Sequence, residues 1–206
     1  MLDVAKECKW IKRGELLFQE GSYPRGLYCV HSGKIKVFQM GTDSKEQIVH
    51  LVHDGDVMGY RAMLSDDVYS CSAAAMEDSQ VCFIPKADFY QLLEKHPKLL
   101  LKITQLLAHK LKEAEQKITQ MAHQPVKERL IQVLFSLIDN YGFKADKITI
   151  DLMIKREDIA NLVGTTRETA IRLLYDLQTQ KIVELDGKYI KILDEKALKK
   201  GLLYLV

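Results

Sequence analysis

The chain has 206 residues, enough for one or two domains with a substantial apolar core. Its 47% hydrophobic and 28% charged residues are the balance of an ordinary soluble protein. A net charge of only +2 excludes a polyelectrolyte that holds nucleic acid by bulk attraction, so any such function must rest on a motif.

No apolar run approaches the about 20 residues of a membrane span, and no secretory leader is evident, so no membrane partner and a cytoplasmic location are expected. Four cysteines, Cys8, Cys29, Cys71 and Cys82, stand singly with no C-x2-C pair. They read as buried free thiols rather than zinc ligands. The six histidines, His31, His50, His53, His96, His109 and His123, show no H-E-x-x-H spacing and read as surface or internally satisfied side chains. No metal site is predicted.

In chain order, residues 1–95 read as mostly β. Residues 34–40 begin with strict alternation, and residues 47–52 and 80–84 are short apolar runs. Glycines at 14, 21, 26, 33, 41, 55 and 59 interrupt them at turn-like intervals, the pattern of a closed sandwich or barrel. From Pro97 to about Ala122 no glycine or proline interrupts a long helix. Leu100, Thr104, Leu107, Leu111, Ala114, Ile118 and Met121 recur at alternating spacings of four and three, an a/d seam suited to a second copy of the chain. A second stripe, Leu99, Ile103 and Leu106, is free to face the β region; one broad core stripe in a monomer is the alternative. Pro125 breaks the run and makes 123–124 a hinge or boundary. Helix resumes over 126–141 with Leu130, Val133, Leu134, Leu137 and Ile138 on one face, and Gly142 ends it. Residues 147–152 read as a short alternating strand.

Residues 156–174 read as two short helices joined by a tight turn. Ile159, Leu162 and Val163 give the first an apolar stripe, and Ala170, Leu173 and Leu174 give one to the second. Gly164 is free to take the positive φ of the turn, and small Ala160 admits close packing. Thr165 and Thr166 are both candidate N-caps, with Thr165-x-x-Glu168 fitting a capping box. This is a helix-turn-helix whose second helix begins near Arg167. Its apolar face belongs to the core, which leaves Arg167, Glu168 and Arg172 outward near the N-terminal end. Arginine can grip guanine O6 and N7 with two donors, and a carboxylate can accept from cytosine N4. An i, i+4 Glu168–Arg172 surface pair is the alternative. Residues 182–185, an Asp186-Gly187 turn and residues 189–193 complete the chain as a hairpin.

The pattern Arg156-Glu-Asp-Ile-Ala…Gly-Thr-Thr-Arg-Glu-Thr-x-x-Arg172 resembles the DNA-reading motif of the Crp-Fnr family of bacterial transcription regulators. The likeness is strong over 156–174 and consistent along nearly the whole chain. It implies an α+β architecture: an N-terminal β-roll (double-stranded β-helix or jelly-roll type) over 1–96, a long dimerisation helix and hinge over 97–124, and a C-terminal winged helix-turn-helix over 125–206. By the same resemblance Gly33 and Gly55 mark β-roll turns, and the terminal hairpin is the wing, with Lys188 at its tip facing either phosphate or solvent. Arg167, Glu168 and Arg172 match base-reading positions, flanked by Thr166 and Thr169, and imply a TGTGA-like half-site. Arg156 matches a contact to the DNA backbone. Implied partners are a palindromic double-stranded operator, a second copy of the chain and RNA polymerase.

In cyclic-AMP-binding members a Gly-Glu pair binds ribose and an Arg-Ser pair binds phosphate. At the matching positions Gly59 and Ser70 are retained, while Tyr60 replaces the Glu and Tyr69 replaces the Arg. Arg61 stands nearby, either as a substitute cation or as a surface ion-pair partner, and Cys71 follows Ser70. Cyclic AMP is therefore not expected as effector, and no cofactor is predicted. Fnr-type members carry clustered N-terminal cysteines for an iron–sulfur cluster; this chain has only Cys8 there. His109, on the long helix, is the one histidine placed to approach a haem such as some members carry. The rival functions are a ligand-sensing module without DNA binding, which the helix-turn-helix opposes, and a metal-dependent enzyme, for which no ligand cluster is present.

Overall fold

The computed structural model describes residues 7–41 and 45–201. The chain divides into two compact units, Met1–Ala114 and Glu115–Val206.

The first unit begins with β1 (Glu7–Ile11), β2 (Leu16–Phe18), β3 (Gly26–Ser32), β4 (Ile35–Met40), β5 (Glu46–Val52) and β6 (Val57–Met58). A five-residue helix, α1 (Tyr60–Leu64), precedes β7 (Ser72–Ala75) and β8 (Ser79–Pro85). The strands form two antiparallel four-stranded sheets, ordered β1-β8-β3-β6 and β2-β7-β4-β5. Early and late strands are interleaved in both sheets, so each must cross between layers, which is the jelly-roll arrangement. Ile11, Val30, Met58 and Val81 from one sheet meet Ile35, Val37, Val52, Ala73 and Ala75 from the other. Burying each of the larger aliphatic side chains contributes about 1.5–3 kcal/mol. Ile35 and Val37 alternate inward as their spacing predicts. Phe38 is also buried because Val37 pairs with His50 and Phe38 with Ile48, which leaves Val49 as the extra residue of a bulge. Gly33 has φ +112°, and a Cβ there would strike Ser79. Only glycine fits that turn.

The outer face of the β1-β8-β3-β6 sheet is covered by helices. Leu27, Met63 and Phe89 form a second core, joined by Tyr60, Leu64, Ile84, Leu93 and Ile103. Phe89 and Leu93 belong to α2 (Lys86–Lys95), a helix inside the region expected to be mostly β. Ile103 belongs to α3 (Pro97–His123), which has 27 residues and buries none of them fully. At about 1.5 Å per residue α3 is roughly 40 Å long. Ile103 of the second stripe packs on the β-roll as expected. Along the a/d seam Leu100, Leu111, Ile118 and Met121 are 47%, 61%, 68% and 41% exposed.

The second unit contains α4 (Val126–Tyr141), α5 (Arg156–Val163), α6 (Arg167–Thr179), a hairpin of β9 (Val183–Asp186) and β10 (Tyr189–Ile192), and α7 (Glu195–Lys200). Pro125 stands at the N-cap of α4, and Gly142 ends that helix at φ 66°. Leu130, Ile131, Leu134 and Leu137 of α4 are buried, as are Ile159, Ala160 and Val163 of α5 and Ala170, Leu173, Leu174 and Leu177 of α6. Among the described residues, no helix is long and apolar enough to cross a membrane.

Three local expectations are corrected. Residues 147–152 make no strand: Lys147 sits at φ 61°, and only the isolated bridges Phe143↔Ile150 and Thr149↔Lys191 form. The loop is instead tied by Asp146, whose carboxylate accepts from the Ile148 and Thr149 amides and the Thr149 hydroxyl. At α6 the cap is Thr166 and not Thr165; its hydroxyl accepts from the Thr169 amide at 3.2 Å, so no Thr165–Glu168 capping box forms. The cysteines are not all thiols. Cys8 and Cys82 are joined in a disulfide because β1 and β8 pair in the register that sets them opposite.

Thr166 satisfies one of the amides that every helix start leaves open. Thr166→Ala should therefore lower the stability of the second unit by about 1 kcal/mol, read as a shifted urea midpoint at unchanged slope. Thr166→Ser should restore most of it.

Candidate nucleic-acid interface and sensor loop

The helix-turn-helix is built as its sequence requires. Gly164 closes α5 in the left-handed conformation, φ 71° and ψ 54°, and its amide returns to the Ala160 carbonyl. Beyond the turn, α6 buries one face and leaves Arg167, Glu168 and Arg172 exposed. None of the three is in an ion pair among the described residues, so the Glu168–Arg172 surface pair does not form. Two cations and a carboxylate stand with free donors and acceptors beside a helix N-terminus. Thr166 is exposed at the same end, and the Thr169 hydroxyl is within 3.0 Å of that of Thr166.

The hairpin sits beside this surface. The turn residues are Gly187, at φ 56°, and Lys188, not the expected Asp186-Gly187, because Asp186 is the last residue of β9 and pairs with Tyr189. Lys188 is exposed at the tip without an ion pair among the described residues. Lys191 is committed within the hairpin, at 2.7 Å from Glu184 and 3.3 Å from Asp186, and these bonds raise its pKa. Arg156 is more enclosed than a simple surface contact would be. Its Nη2 donates to the Gly187 carbonyl at 3.0 Å, while Nη1 is buried without a hydrogen-bond partner. With Ile171, Leu174, Tyr175, Leu185 and Gly187 it lines a cleft of about 270 Å³ between α6 and the hairpin. Burial lowers its pKa, which for a guanidinium leaves the charge in place. The link from Arg156 to the wing tip joins positions 31 residues apart and has no local signal in the sequence.

In the first unit, Gly59 enters α1 at φ 88°, and α1 turns the chain so that Arg61 comes back against residues 70–71. Arg61 Nη2 donates to Ser70 Oγ at 2.6 Å and approaches Cys71 Sγ at 3.5 Å. Its partner is therefore Ser70 and not a surface carboxylate. An arginine and a serine are thus brought together at the loop, although the arginine comes from position 61 and both side chains are exposed.

The two tyrosines part company. Tyr69 is 5% exposed and stacks on Phe18, with ring centroids 4.1 Å apart; its hydroxyl points to the Gly26 carbonyl. Burial pushes its phenol pKa up. Tyr28 extends the group by a ring contact with Phe18 at 5.7 Å. Tyr60, which stands at the position of the family's Glu, packs with Leu27, Met63 and Phe89 on the other side of the sheet. Phe18 and Tyr28 were not singled out in the sequence, because nothing local tells which strand faces Tyr69.

The cysteines do not fit an iron–sulfur cluster, which needs four converging thiolates. Cys8 and Cys82 are spent in the disulfide, and Cys71 is 4% exposed within the β-roll core. His109 is exposed on α3, and no group of three or more potential metal ligands forms among the described residues.

Comparison with known proteins gives a match to the cyclic nucleotide-binding domain over residues 8–96 and to the Crp-like helix-turn-helix domain over residues 128–200. An anaerobic regulatory protein of Pasteurella multocida is 33% identical over 199 residues, covering 95% of this chain and 72% of the relative. The fumarate and nitrate reduction regulatory protein of Vibrio cholerae is 34% identical over 198 residues, covering 95% and 78%. The solved structure of FixK2 from Bradyrhizobium japonicum superposes with a TM-score of 0.84 at 21% identity, over 96% of this chain and 97% of that one, and so shares the fold. With a β-roll, a long helix and a helix-turn-helix matched from end to end, this chain belongs to the Crp-Fnr family of transcription regulators and is not an enzyme.

Proposed function

We propose that two copies of this chain, joined along α3, read a palindromic DNA site through α6 in the bacterial cytoplasm, contact RNA polymerase and are controlled through the β-roll. The observation that carries the reading is the trio Arg167, Glu168 and Arg172, exposed and without ion-pair partners at the start of a helix whose other face is buried. Arg167 and Arg172 supply donors for guanine, Glu168 an acceptor for cytosine N4, and Thr166, Thr169 and Lys188 lie where phosphates flank the groove. A TGTGA-like half-site is the expected target. A gel shift on operator-length duplexes with competitor separates this reading from a ligand-sensing module that does not bind DNA.

The dimer rests on the seam of α3. Leucines and isoleucines this exposed leave apolar area in water that a second copy removes. Thr104, Leu107 and Ala114 complete the stripe. Leu111→Glu places a charge in that seam and should yield monomers by analytical ultracentrifugation; a mutant that stays dimeric removes α3 from the interface.

For readout, Arg172→Ala should cost about 1–3 kcal/mol per half-site and relax preference at one base pair, measured by binding to a set of singly substituted operators. Equal losses on every operator would make Arg172 a phosphate contact. Arg156→Ala should weaken all operators alike. A flatter salt dependence assigns its charge to DNA phosphate, and an unchanged slope assigns it to holding the wing through Gly187.

The effector is not cyclic AMP. Its phosphate would need a buried cation, and the family's arginine position is Tyr69, whose ring is stacked on Phe18. Gly59, Tyr60, Arg61, Tyr69, Ser70 and Cys71 are the residues through which another ligand would act. Calorimetry should detect no binding of cyclic AMP or cyclic GMP. Micromolar binding that disappears in Arg61→Ala would make the Arg61–Ser70 pair a phosphate clamp.

A further inference from the structure

Three of the four cysteines fall in one row. Cys8 of β1 is directly opposite Cys82 of β8, and Cys29 of β3 is directly opposite Cys82 on the other side. Directly opposed residues of antiparallel strands project from the same face of the sheet. That face is the outer one: Val81, next in sequence to Cys82, is in the β-roll core, while Leu27 and Ile84, two positions from the row, pack under α1 and α2. Exposure is lowest at the centre of the row, with Cys82 buried, Cys29 half-buried on one side and Cys8 open to solvent on the other. Cys8 and Cys82 form the disulfide, and Cys29 is a thiol.

The ladder geometry makes both neighbours of Cys82 suitable partners. A residue in an internal antiparallel strand directs its own N–H and C=O to one neighbour only, so it is close-paired on one side and hydrogen-bond-paired on the other. The Cα atoms of Cys8 and Cys82 are 3.8 Å apart, the close side. Cys29 is then on the hydrogen-bonded side, where Cα atoms lie about 5.5 Å apart. That spacing is inside the range of roughly 4.4–6.8 Å over which disulfides form. Thiol–disulfide exchange requires the incoming thiolate to approach the central sulfur opposite the one that leaves, through a mixed disulfide. A row of three cysteines across successive strands places Cys29 and Cys8 on opposite sides of Cys82.

We propose that Cys8, Cys82 and Cys29 form a thiol–disulfide exchange site in which the bond moves between β1–β8 and β8–β3. The Cys29 thiol loses its proton and attacks Cys82 Sγ. The Cys29–Cys82 bond forms as the Cys8–Cys82 bond breaks, and the Cys8 thiolate takes up the proton. One disulfide and two thiols exist before and after, so no oxidant or reductant is consumed. The step unfastens β1, an edge strand with four of its five residues exposed, and frees the most accessible sulfur. The Cys8 thiol then gives up its proton and attacks a low-molecular-weight disulfide, giving a mixed disulfide on Cys8 and releasing one equivalent of the small thiol, whose sulfur takes up that proton.

The test uses the full chain, purified without reductant, held at pH 8, quenched in acid, alkylated and mapped as non-reduced peptides. The wild type should divide between Cys8–Cys82 and Cys29–Cys82 peptides while the number of alkylatable thiols stays at two. Cys29→Ser should retain only Cys8–Cys82, and Cys8→Ser, oxidised with glutathione disulfide, should form Cys29–Cys82 with release of two equivalents of glutathione. With oxidised glutathione, an adduct on Cys8 should appear in the wild type and be lost in Cys29→Ser. Trp10, the single tryptophan, is 65% exposed and two residues beyond Cys8 on the same face, so its emission reports the opening of the neighbouring disulfide. Emission should rise without added reductant in the wild type and stay constant in Cys29→Ser. The wild-type map decides even where a variant fails to fold. Complete alkylation of Cys29, with Cys8–Cys82 as the only disulfide peptide, overturns the proposal and leaves the bond a static staple.

Discussion

A helix of 27 residues that buries none of them fully is the constraint on which the rest of the protein depends. An isolated helix draws little stability from its own hydrogen bonds; it persists because an apolar face is covered. On α3 one stripe is engaged, through Ile103, by the second core of the β-roll. The other runs from Leu100 to Met121 and lies open within a single chain. In the dimer proposed above, a symmetry mate covers it and sets two identical helices about a two-fold axis, which is the physical reason a palindrome would be the matching target. On that proposal, stability and address depend on the same row of side chains.

The helix-turn-helix solves a different problem, holding charged side chains clear of one another without losing a core. The helical period separates the two demands. Ala170, Leu173, Leu174 and Leu177 turn inward, while Arg167, Glu168 and Arg172 turn outward. Gly164 fixes the angle of entry, and the Thr166 cap ties the first turn. Rigidity at that end suits the proposed role, since two-donor recognition of a base edge tolerates little error in direction. Arg156 adds a brace from the start of α5 to the wing tip.

Features set by neighbours in sequence were legible in advance. The bounds of α3 and α4, the start of α6, the left-handed Gly164, a tight turn at Gly187 and the outward trio all follow from local periodicity and turn chemistry. Features set by strand register were not. Cys8 and Cys82 are 74 residues apart, and only the pairing of β1 with β8 brings them together. The same holds for the stacking of Tyr69 on Phe18 and for the separation of Tyr60 from Tyr69 by the sheet. Arg61 meets Ser70 because α1 turns the chain, and a five-residue helix is too short to announce itself by period. Residues 147–152 misled in the opposite way. They alternate like a strand, yet Lys147 in the left-handed region and the Asp146 side chain make them a tied loop.

The stacked Tyr69 and Phe18 rings have a thermodynamic consequence for any ligand of the β-roll. A molecule that needs their space must first find the ring swung out, and its apparent affinity falls by the fraction of time that state is populated. A ring displaced about one per cent of the time weakens binding about a hundredfold. The aromatic stack therefore acts as a built-in competitor, tethered and always at saturating concentration, and it sets the lowest intrinsic affinity at which a signal can register.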